Sequence, residues 1–444
     1  MYIANPPRLT SQPLQVPSHS RAADEASNEP ANGLFKPIGC PALPGAVYAL
    51  GLTSLLTDMS SEMVTTVMPL YLSTALQLSP MAVGLYDGAY HGAAAVARLA
   101  AARWSDARNA HKQVASWGYA LSALAKVFLL IASFGTFGIA AATLMDRLGK
   151  GVRTAPRDAL IARFAPPDGL GLAFGVHRRM DSAGAMLGPL AAAGLLWWWP
   201  DGFIALFCSS AVLAATGWCV LMRGVPAADP AESRVQPTPP NVQTDRSDIT
   251  WRNKPLVKAC LGIFLVNAVS VSDGMLYLGL QTATGFDAFY MPLMFVLAAG
   301  VFMLLAKPAG RWADRVGLLP VIGLGFAAMG LATGAVALGL VASMWSLIPL
   351  LILVGLHYAC TDGMMAMWAI RSSQPAQQTT ALAWVATAAG LGKLVSSATF
   401  GAIWQNYGLN AAAATSSAAL LAALPLAWLL VKVASKKSLA RGAA

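Results

Sequence analysis

Long apolar stretches recur along most of the chain, with short polar segments between them. Each stretch is close to the roughly 20 residues that an α-helix needs to cross the hydrocarbon core of a bilayer. The pattern predicts an all-α polytopic membrane protein with twelve transmembrane helices. The predicted spans are residues 45–76, 81–102, 113–133, 138–156, 173–198, 203–222, 256–282, 288–307, 318–340, 346–370, 380–404 and 410–433.

The composition agrees with this prediction. Hydrophobic residues make up 56% of the chain and charged residues only 11%, whereas soluble globular proteins carry about 25% charged residues. A soluble fold, a disordered chain, a coiled coil, a nucleic-acid binder and a disulfide-stapled domain are therefore excluded. The five cysteines lack metal-ligand spacing, so we expect small packing residues and no metal site.

No motif in the chain indicates a cofactor or the use of ATP. The sequence contains no phosphate-binding Walker loop, no haem motif and no nucleophile elbow. We therefore expect no cofactor, no ATP-driven transport and no enzymatic activity. The expected partners are the lipid bilayer, protons and a small-molecule substrate, with the chain acting as a monomer.

The net charge of +10 reflects orientation in the membrane. If the N-terminus is cytoplasmic, nearly all Lys and Arg residues fall in intracellular segments, among them residues 150–179, and the external connectors contain none. Positive residues near helix ends stay on the cytoplasmic side, so both termini are predicted to be cytoplasmic in a prokaryotic plasma membrane. Four basic residues remain inside predicted spans: Arg98, Lys126, Arg147 and Lys393.

The spans divide into two halves of six. A proline-rich connector separates the halves, and short matches relate them, with Asp58 corresponding to Asp273 and Asp146 to Asp362. Many transporters are built from such duplicated halves. The predicted organisation is a flexible cytoplasmic tail over residues 1–42, six-helix halves over 43–222 and 255–434, a cytoplasmic linker over 223–254 and a cytoplasmic tail over 435–444.

Two short patterns resemble motifs of one transporter family. The first is a loop pattern after spans two and eight, and the second is a glycine–proline pattern in span five. The loop residues are Asp106 in the first half and Gly310, Asp314, Arg315 and Gly317 in the second. The first-half loop departs from the pattern, with Ala102 and Ala107 at two motif positions. The span-five residues are Gly175, Gly184, Gly188 and Pro189.

On these residues the chain resembles the major facilitator superfamily. The span-five pattern is similar to that of the proton-driven antiporter branch, and residues 56–63 and 146–158 are similar to a largely uncharacterised prokaryotic subgroup. The resemblance implies a substrate site between two six-helix halves and loops that hold the cytoplasmic side closed. Span five is expected either to pack tightly through its glycines or to bend at its proline and gate the cavity.

Acids at membrane depth are strong candidates for function, because each costs some 2.5–3.5 kcal/mol to insert. Asp58 lies near the middle of span one, and Glu62 follows at i+4 on the same face. Two acids so close in a low dielectric would not readily both ionise, so we expect one to exchange a proton near neutral pH. The alternative is a structural acid pair. Asp273, beside Ser270 and Ser272 in span seven, indicates a polar cavity shared by both halves.

Arg147 is the most telling of the basic residues in the spans. Its guanidinium keeps its proton, so it must face a cavity or an acid. The candidate partners are Asp58, Glu62 and Asp146. A partner released by protonation would leave Arg147 free to bind an anionic group or to reset the carrier.

The other basic residues in the spans have simpler expected environments. Lys393 is expected either to contact substrate or to pair with Asp362 or Asp273. Arg98 is expected to snorkel to the nearby membrane surface. Lys126 is expected to reach outward to the lipid headgroups, because span three resembles a peripheral helix of this fold.

Two histidines invite functional hypotheses. His91 lies with Asp87 on the outer part of span two, where the two side chains are expected to form an outer gate or proton entry; a lone hydrogen-bonded histidine is the alternative. His357 lies among methionines in span ten, but methionine in an apolar helix is far more often a packing residue than a metal ligand.

The sequence therefore predicts a secondary transporter that works by alternating access. Proton-coupled export of a small organic molecule by antiport is favoured, because span five resembles the antiporter branch and the acids of span one are suited to carry a proton. A proton symporter importing an anionic solute is the first alternative, favoured if Arg147 and Lys393 both face the cavity. A metal-cation exporter is a weaker alternative, and an intramembrane enzyme or passive pore is the alternative of a different class.

Overall fold

The computed structural model describes residues 43–93, 110–132, 135–166, 169–226, 254–371 and 378–441. Every regular element in these ranges is a helix, which confirms the all-α prediction. The helices are α1 (Gly45–Thr74), α2 (described over residues 80–93), α3 (His111–Ala132), α4 (Thr136–Phe164), α5 (Leu170–Trp198), α6 (Phe203–Gly224), α7 (Lys254–Val269), α8 (Asp273–Thr284), α9 (Tyr290–Val316), α10 (Leu318–Ala337), α11 (Met344–Arg371), α12 (Gln378–Tyr407) and α13 (Leu409–Arg441).

These helices account for the twelve predicted spans when α7 and α8 are counted as one interrupted span. Within the described residues, seven segments are long and apolar enough to cross a membrane by length and composition alone. Helices α1, α4 and α5 have comparable length but carry charged residues along them, some of which are buried in α1 and α4. The predicted tail over residues 1–42 and most of the predicted linker lie outside the described residues.

Each half has its own pattern of packing. In the first half, α1 packs against α5 and α6, and α3 lies along α4. In the second half, α7 packs against α12 and α13, while α11 lies between α9 and α10. The halves meet where α1 contacts α8 and α9, where α5 contacts α9 and where α2 contacts α12. The largest cluster of buried apolar side chains includes residues of both halves.

Two predicted helix ends are wrong. Helix α4 does not end at residue 156 but continues through Pro156 to Phe164, because the charged side chains of its last turns find partners on neighbouring helices. Helix α9 runs through the expected loop to Val316. Gly317 alone separates it from α10, and its φ of 94° is a left-handed conformation that favours glycine.

The seventh span is interrupted, where the sequence predicts one continuous helix. Helix α7 ends at Val269 and α8 begins at Asp273. The Ser272 hydroxyl accepts a hydrogen bond from the amide of Met275 and so caps α8. Asp273 stands in the first turn, where the helix dipole favours a carboxylate. The interruption gives the membrane interior a helix N-terminus and a polar turn.

Helices α2 and α12 pack backbone to backbone between the halves. A Cβ added to Gly88 would lie 2.8 Å from the carbonyl oxygen of Leu394, and one added to Gly84 would collide with the carbonyl of Ser397. On the other side of the contact, Gly401 packs against Pro80. Small residues let helices approach this closely in membranes. The contact lies on the half of the bundle that the charge pattern predicts to be external.

Candidate functional site

A cavity of about 170 Å³ lies between the two halves. Helices α1 and α2 form one side of it, and α8 and α9 form the other. Three described lining residues are carboxylates, and none is lysine or arginine. The lining residues are Glu62, Thr65, Met68, Pro69, Tyr86, Asp87, Tyr90, His91, Asp273, Gly274 and Phe295.

Asp58 and Glu62 lie one turn apart on α1 but have different environments. The Asp58 side chain is 9% exposed, and its Oδ1 lies 3.2 Å from Nη2 of Arg153 and 3.4 Å from Nζ of Lys150. Glu62 is 25% exposed and lines the cavity, and its one ion pair with a described residue is with Lys150 at 3.9 Å. Lys150 therefore lies within ion-pair distance of both acids, whereas Arg153 pairs with Asp58 alone.

Arg153 is among the largest fully buried side chains of the described residues. Its Nη1 donates a hydrogen bond of 2.6 Å to Ser122, and its guanidinium lies 4.8 Å from the ring centroid of Tyr119. The sequence assigns this residue to a cytoplasmic segment, and the structure corrects that assignment. The available signal was the spacing of Lys150, Arg153 and Arg157, which places the three on one helix face.

Arg157 continues the same basic face of α4. Its Nη2 lies 2.8 Å from Oδ1 of Asp158, and its Nη1 lies 3.6 Å from Oδ1 of Asp181 on α5. Ser54 on α1 joins the two helices, because it donates to Asp181 at 2.6 Å and accepts from Arg157 at 3.1 Å. The sequence places Arg157 too in a cytoplasmic segment, and the structure corrects this, because the side chain is buried.

The sequence offers three acids as candidate partners of Arg147, and the structure pairs it with Asp146. The Arg147 Nη2 lies 2.8 Å from Asp146 Oδ2, and its guanidinium lies 4.4 Å from the ring centroid of Tyr90. Lys126 approaches the same carboxylate oxygen at 3.1 Å. Lys126 is 4% exposed, so it does not reach outward to headgroups as expected. Helix α3 lies along α4, which turns this side chain into the bundle.

On the second-half side, Asp273 accepts a hydrogen bond from the Tyr358 hydroxyl. The Lys393 ammonium lies 5.7 Å from the ring centroid of Tyr358. Neither Asp273 nor Asp362 comes within ion-pair distance of Lys393, and this lysine forms no salt bridge with any described residue. The expected pairing of Lys393 is therefore absent from this arrangement, and Lys393 stands beside the cavity wall.

Asp87 connects α2 to the second half. Its carboxylate accepts a hydrogen bond of 2.7 Å from Ser397 on α12 and is also faced by Ser272 at the helix interruption. His91 lies one turn further along α2, with Nε2 3.9 Å from Asp87. Both residues line the cavity, which puts the predicted gate residues at the contact between the halves.

Gly184 and Gly188 pack directly on α1. A Cβ added to Gly188 would lie 2.6 Å from the carbonyl oxygen of Met59 and 3.1 Å from the Cβ of Glu62. Gly175 has nothing within 4 Å of such a Cβ. Helix α5 is continuous through Pro189. Two of the motif glycines thus set the distance between α5 and the acid-bearing part of α1.

The second-half loop motif forms the end of a helix and not a separate loop. Gly310, Asp314 and Arg315 lie in the last turns of α9, and Gly317 ends that helix. Arg315 is exposed and forms no salt bridge with a described residue. Asp106, the first-half counterpart of Asp314, lies outside the described residues, as does Arg98.

His357 has a packing environment. Its Nδ1 lies 2.9 Å from the carbonyl oxygen of Gly325, and its ring packs edge-on against Phe326. Asp362 lies just over one turn further along α11 and is half-buried. The described part of the chain contains no group of three or more His, Cys, Asp or Glu side chains placed to hold a metal ion.

Comparison with known proteins agrees with this architecture. The sequence profile of the Major Facilitator Superfamily matches residues 50–307. An uncharacterised MFS-type transporter of Methanocaldococcus jannaschii is 29% identical over 372 residues, which cover 81% of this chain and 88% of that protein. An uncharacterised protein of Mycobacterium tuberculosis is 32% identical over 151 residues, which cover 34% of this chain and 36% of that protein.

Solved structures share the fold. The nucleoside transporter NupG has a TM-score of 0.72 at 12% identity, covering 87% of this chain and 99% of that one. The POT family transporter PepTSo also has a TM-score of 0.72 at 12% identity, covering 89% of this chain and 99% of that one. The chain therefore belongs to the major facilitator superfamily, and it is a multi-pass membrane transporter and not an enzyme.

Proposed function

We propose that this transporter exports a small organic molecule in exchange for protons, by alternating access around the cavity between its halves. The observation that carries the proposal is the position of Glu62, a carboxylate of α1 that lines the cavity and whose one ion pair with a described residue is a long one, to Lys150 at 3.9 Å. Carboxylates inside membrane bundles commonly mark proton relays. Asp273, the second-half counterpart of Asp58, lines the same cavity.

Glu62 is a better candidate for proton exchange than Asp58. Two cations contact Asp58 at 3.2 and 3.4 Å, so loss of its negative charge would weaken two ion pairs at once. Glu62 is more exposed, and its one contact is longer. Protonation of Glu62 removes the negative charge that attracts Lys150, and the Lys150 ammonium then moves closer to Asp58. A proton arriving in the cavity thereby changes the contact between α1 and α4.

Export is favoured over the import of an anionic solute. Anion symport requires positive charge at the cavity, from Arg147 and Lys393 together. Arg147 is bound to Asp146 and stacked on Tyr90, and neither basic residue is among the described residues that line the cavity. A metal-cation exporter is the weaker alternative, because the cavity offers carboxylates and one imidazole but no assembled ligand set among the described residues.

The proposal includes the placement of the chain. We place both termini in the cytoplasm of a prokaryotic cell and treat the chain as a monomer in the plasma membrane, because its basic residues concentrate on one side. The two halves and the linker between them keep their predicted bounds of 43–222, 223–254 and 255–434. In this placement the contact between α2 and α12 closes the external side of the cavity.

The test is transport in proteoliposomes with an imposed pH gradient, screened over candidate organic solutes. Wild type is compared with Glu62→Gln and with Asp201→Asn, a control at an exposed acid in the turn between α5 and α6. We expect the pH gradient to drive solute flux through wild type and the control, and the gradient dependence to be lost in Glu62→Gln. Flux that stays coupled to the gradient in Glu62→Gln would remove this residue from the mechanism.

A further inference from the structure

We propose that the transported molecule is a small organic cation, taken up by the carboxylates of the cavity between the halves. This inference rests on the proposed function and names the substrate class of the same site. It is carried by an excess of acidic over basic side chains around Asp87 of α2 and Asp273 of α8, which face each other across the contact between the halves, together with an aromatic lining. The substrate supplies the positive charge that the protein itself does not.

The charges of the ion-pair network that joins α1, α3, α4 and α5 balance one another. Each buried cation of α3 and α4 contacts a carboxylate, and the described ion pairs use up both signs of charge. The ion pairs are Lys126 and Arg147 with Asp146, Lys150 with Asp58 and Glu62, Arg153 with Asp58, and Arg157 with Asp158 and Asp181. This network therefore offers little net charge to a substrate.

The acids around the contact between α2 and the second half are not compensated. Asp87 and Asp273 line the cavity, Asp362 lies nearby on α11, and Lys393 is the one described lysine beside them. This lysine is outside ion-pair distance of all three acids, and its ammonium lies over the Tyr358 ring. The His91 imidazole lies 3.9 Å from Asp87 and is the nearest basic side chain to that carboxylate among the described residues. Negative charge is thus in excess at this wall.

Aromatic rings complete a surface suited to an organic cation. Tyr86, Tyr90 and Phe295 line the cavity. Ring faces attract cations, and two cations of this region already lie over tyrosine rings, Arg147 over Tyr90 and Lys393 over Tyr358. An apolar body with a cationic end matches both features. The volume of about 170 Å³ restricts the substrate to a small molecule.

The excess charge also explains how a cation and a proton exchange. Either one neutralises the same negative charge, so binding of one disfavours binding of the other. The groups that face Asp87 are Tyr86, Ser272, Ser397, His91 and Lys393, and those that face Asp273 are Tyr277, Tyr358, His91 and His357. Among these described groups are hydroxyls, two imidazoles and a single lysine, so Lys393 is the one fixed cation that competes with the substrate.

The experiment uses phenyltrimethylammonium as the probe. Two molecules of similar size serve as controls, the uncharged isostere tert-butylbenzene and the anion benzenesulfonate. Binding to the purified full chain in detergent is measured by calorimetry at neutral and at acid pH. We expect the cation to bind at least about tenfold more tightly than either control, a difference of about 1.4 kcal/mol, and to bind more weakly at acid pH. Equal or tighter binding of benzenesulfonate would overturn the inference.

Variants locate the binding. Asp87→Asn and Asp273→Asn are each expected to weaken phenyltrimethylammonium binding by about tenfold or more, while Asp201→Asn keeps the wild-type affinity. Thermal unfolding confirms that each variant is folded. Wild-type affinity in both cavity variants would overturn the inference, and the comparison of the three probes on wild type tests it without any substitution.

The outcomes also separate this inference from the proposed function. If phenyltrimethylammonium binds at the carboxylates but a pH gradient never drives its flux, proton coupling is refuted and the substrate class is supported. If a pH gradient drives flux of neutral or anionic solutes and phenyltrimethylammonium does not bind, proton coupling is supported and the substrate class is overturned.

Discussion

Asp58 is the acid of α1 that forms ion pairs with two basic residues of α4. It contacts both Lys150 and Arg153, whereas Glu62 contacts Lys150 alone and at a greater distance. Adjacent acids on one helix face therefore have different tasks. Asp58 holds the buried arginine, and Glu62 is left accessible from the cavity.

The substitution Asp58→Asn is expected to destabilise the fold, because it leaves Arg153 without its carboxylate in the interior. Removal of one partner of a buried ion pair typically costs about 3–5 kcal/mol. Glu62→Gln breaks only a half-exposed contact and is expected to cost far less. Thermal unfolding of the two variants in the same detergent checks this order. Equal unfolding temperatures would mean that Asp58 does not hold Arg153 in place.

A second residue-scale prediction concerns Asp146, which two cations share. Asp146→Asn leaves Lys126 and Arg147 uncompensated, while Lys126→Met leaves the Asp146 carboxylate still paired with Arg147. We expect Asp146→Asn to lower the unfolding temperature more than Lys126→Met does. In a double-mutant cycle the two substitutions should be non-additive, as residues in one ion-pair network generally are. Additive effects would contradict the shared pairing.

At the scale of helices, glycine positions decide how closely elements approach. Gly188 brings α5 against the turn of α1 that carries Glu62, while Gly175 of the same motif faces open space. The two positions therefore provide a matched pair for a packing test. The same logic applies to α2 and α12, whose glycines bring the halves together.

Gly188→Leu is expected to push α5 away from α1 and to displace Glu62, because even a Cβ meets the Met59 carbonyl oxygen at 2.6 Å. Overpacking of this kind typically costs about 1–3 kcal/mol. Gly175→Leu is the control, since it adds the same side chain without a collision. Unfolding temperature and gradient-driven flux are measured for both. Full activity of Gly188→Leu would show that this contact does not set the position of Glu62.

Gly88→Val is expected to separate α2 from α12, because an added Cβ lies 2.8 Å from a backbone oxygen that cannot move aside easily. Spin labels at the exposed residues Ala75 and Gln405 report on the separation of the halves at this end of the bundle. The distance distribution should shift to longer values in the variant. Gly92→Val is the milder comparison, since its added Cβ meets only the end of the Leu394 side chain, at 3.2 Å. An unchanged distribution in Gly88→Val would exclude the contact as a closure.

The sequence predicts much of the helix layout and little of the charge pairing. Apolar length locates the spans, because the bilayer imposes a helix length on every segment. The partners of Arg147 and Lys126 lie on facing helices, so spacing along the chain cannot identify them. The sequence places Arg153 in a cytoplasmic segment, because basic residues at the end of a span form the same pattern whether their side chains face water or a buried acid. The interruption of span seven depends on a serine cap, which apolar length does not register.

At the scale of the whole molecule, the two halves contribute differently to one cavity. The acids of α1 and α4 are paired with cations, whereas Asp87 of α2 and Asp273 of α8 leave acids in excess beside a helix N-terminus. A duplicated fold thereby gains an asymmetric site. We infer that Glu62 of α1 responds to the proton and that Asp87 and Asp273 supply the charge that a substrate cation occupies.

The sign of proton movement tests this account most directly. Proteoliposomes containing the protein and a trapped pH-sensitive dye receive a transported solute from outside, with no initial pH gradient. Antiport predicts that protons leave as the solute enters, so the lumen becomes more alkaline, and that Glu62→Gln abolishes the change. A lumen that becomes more acidic would establish symport, and solute entry without any pH change would establish an uncoupled pathway; either result would contradict proton-coupled exchange.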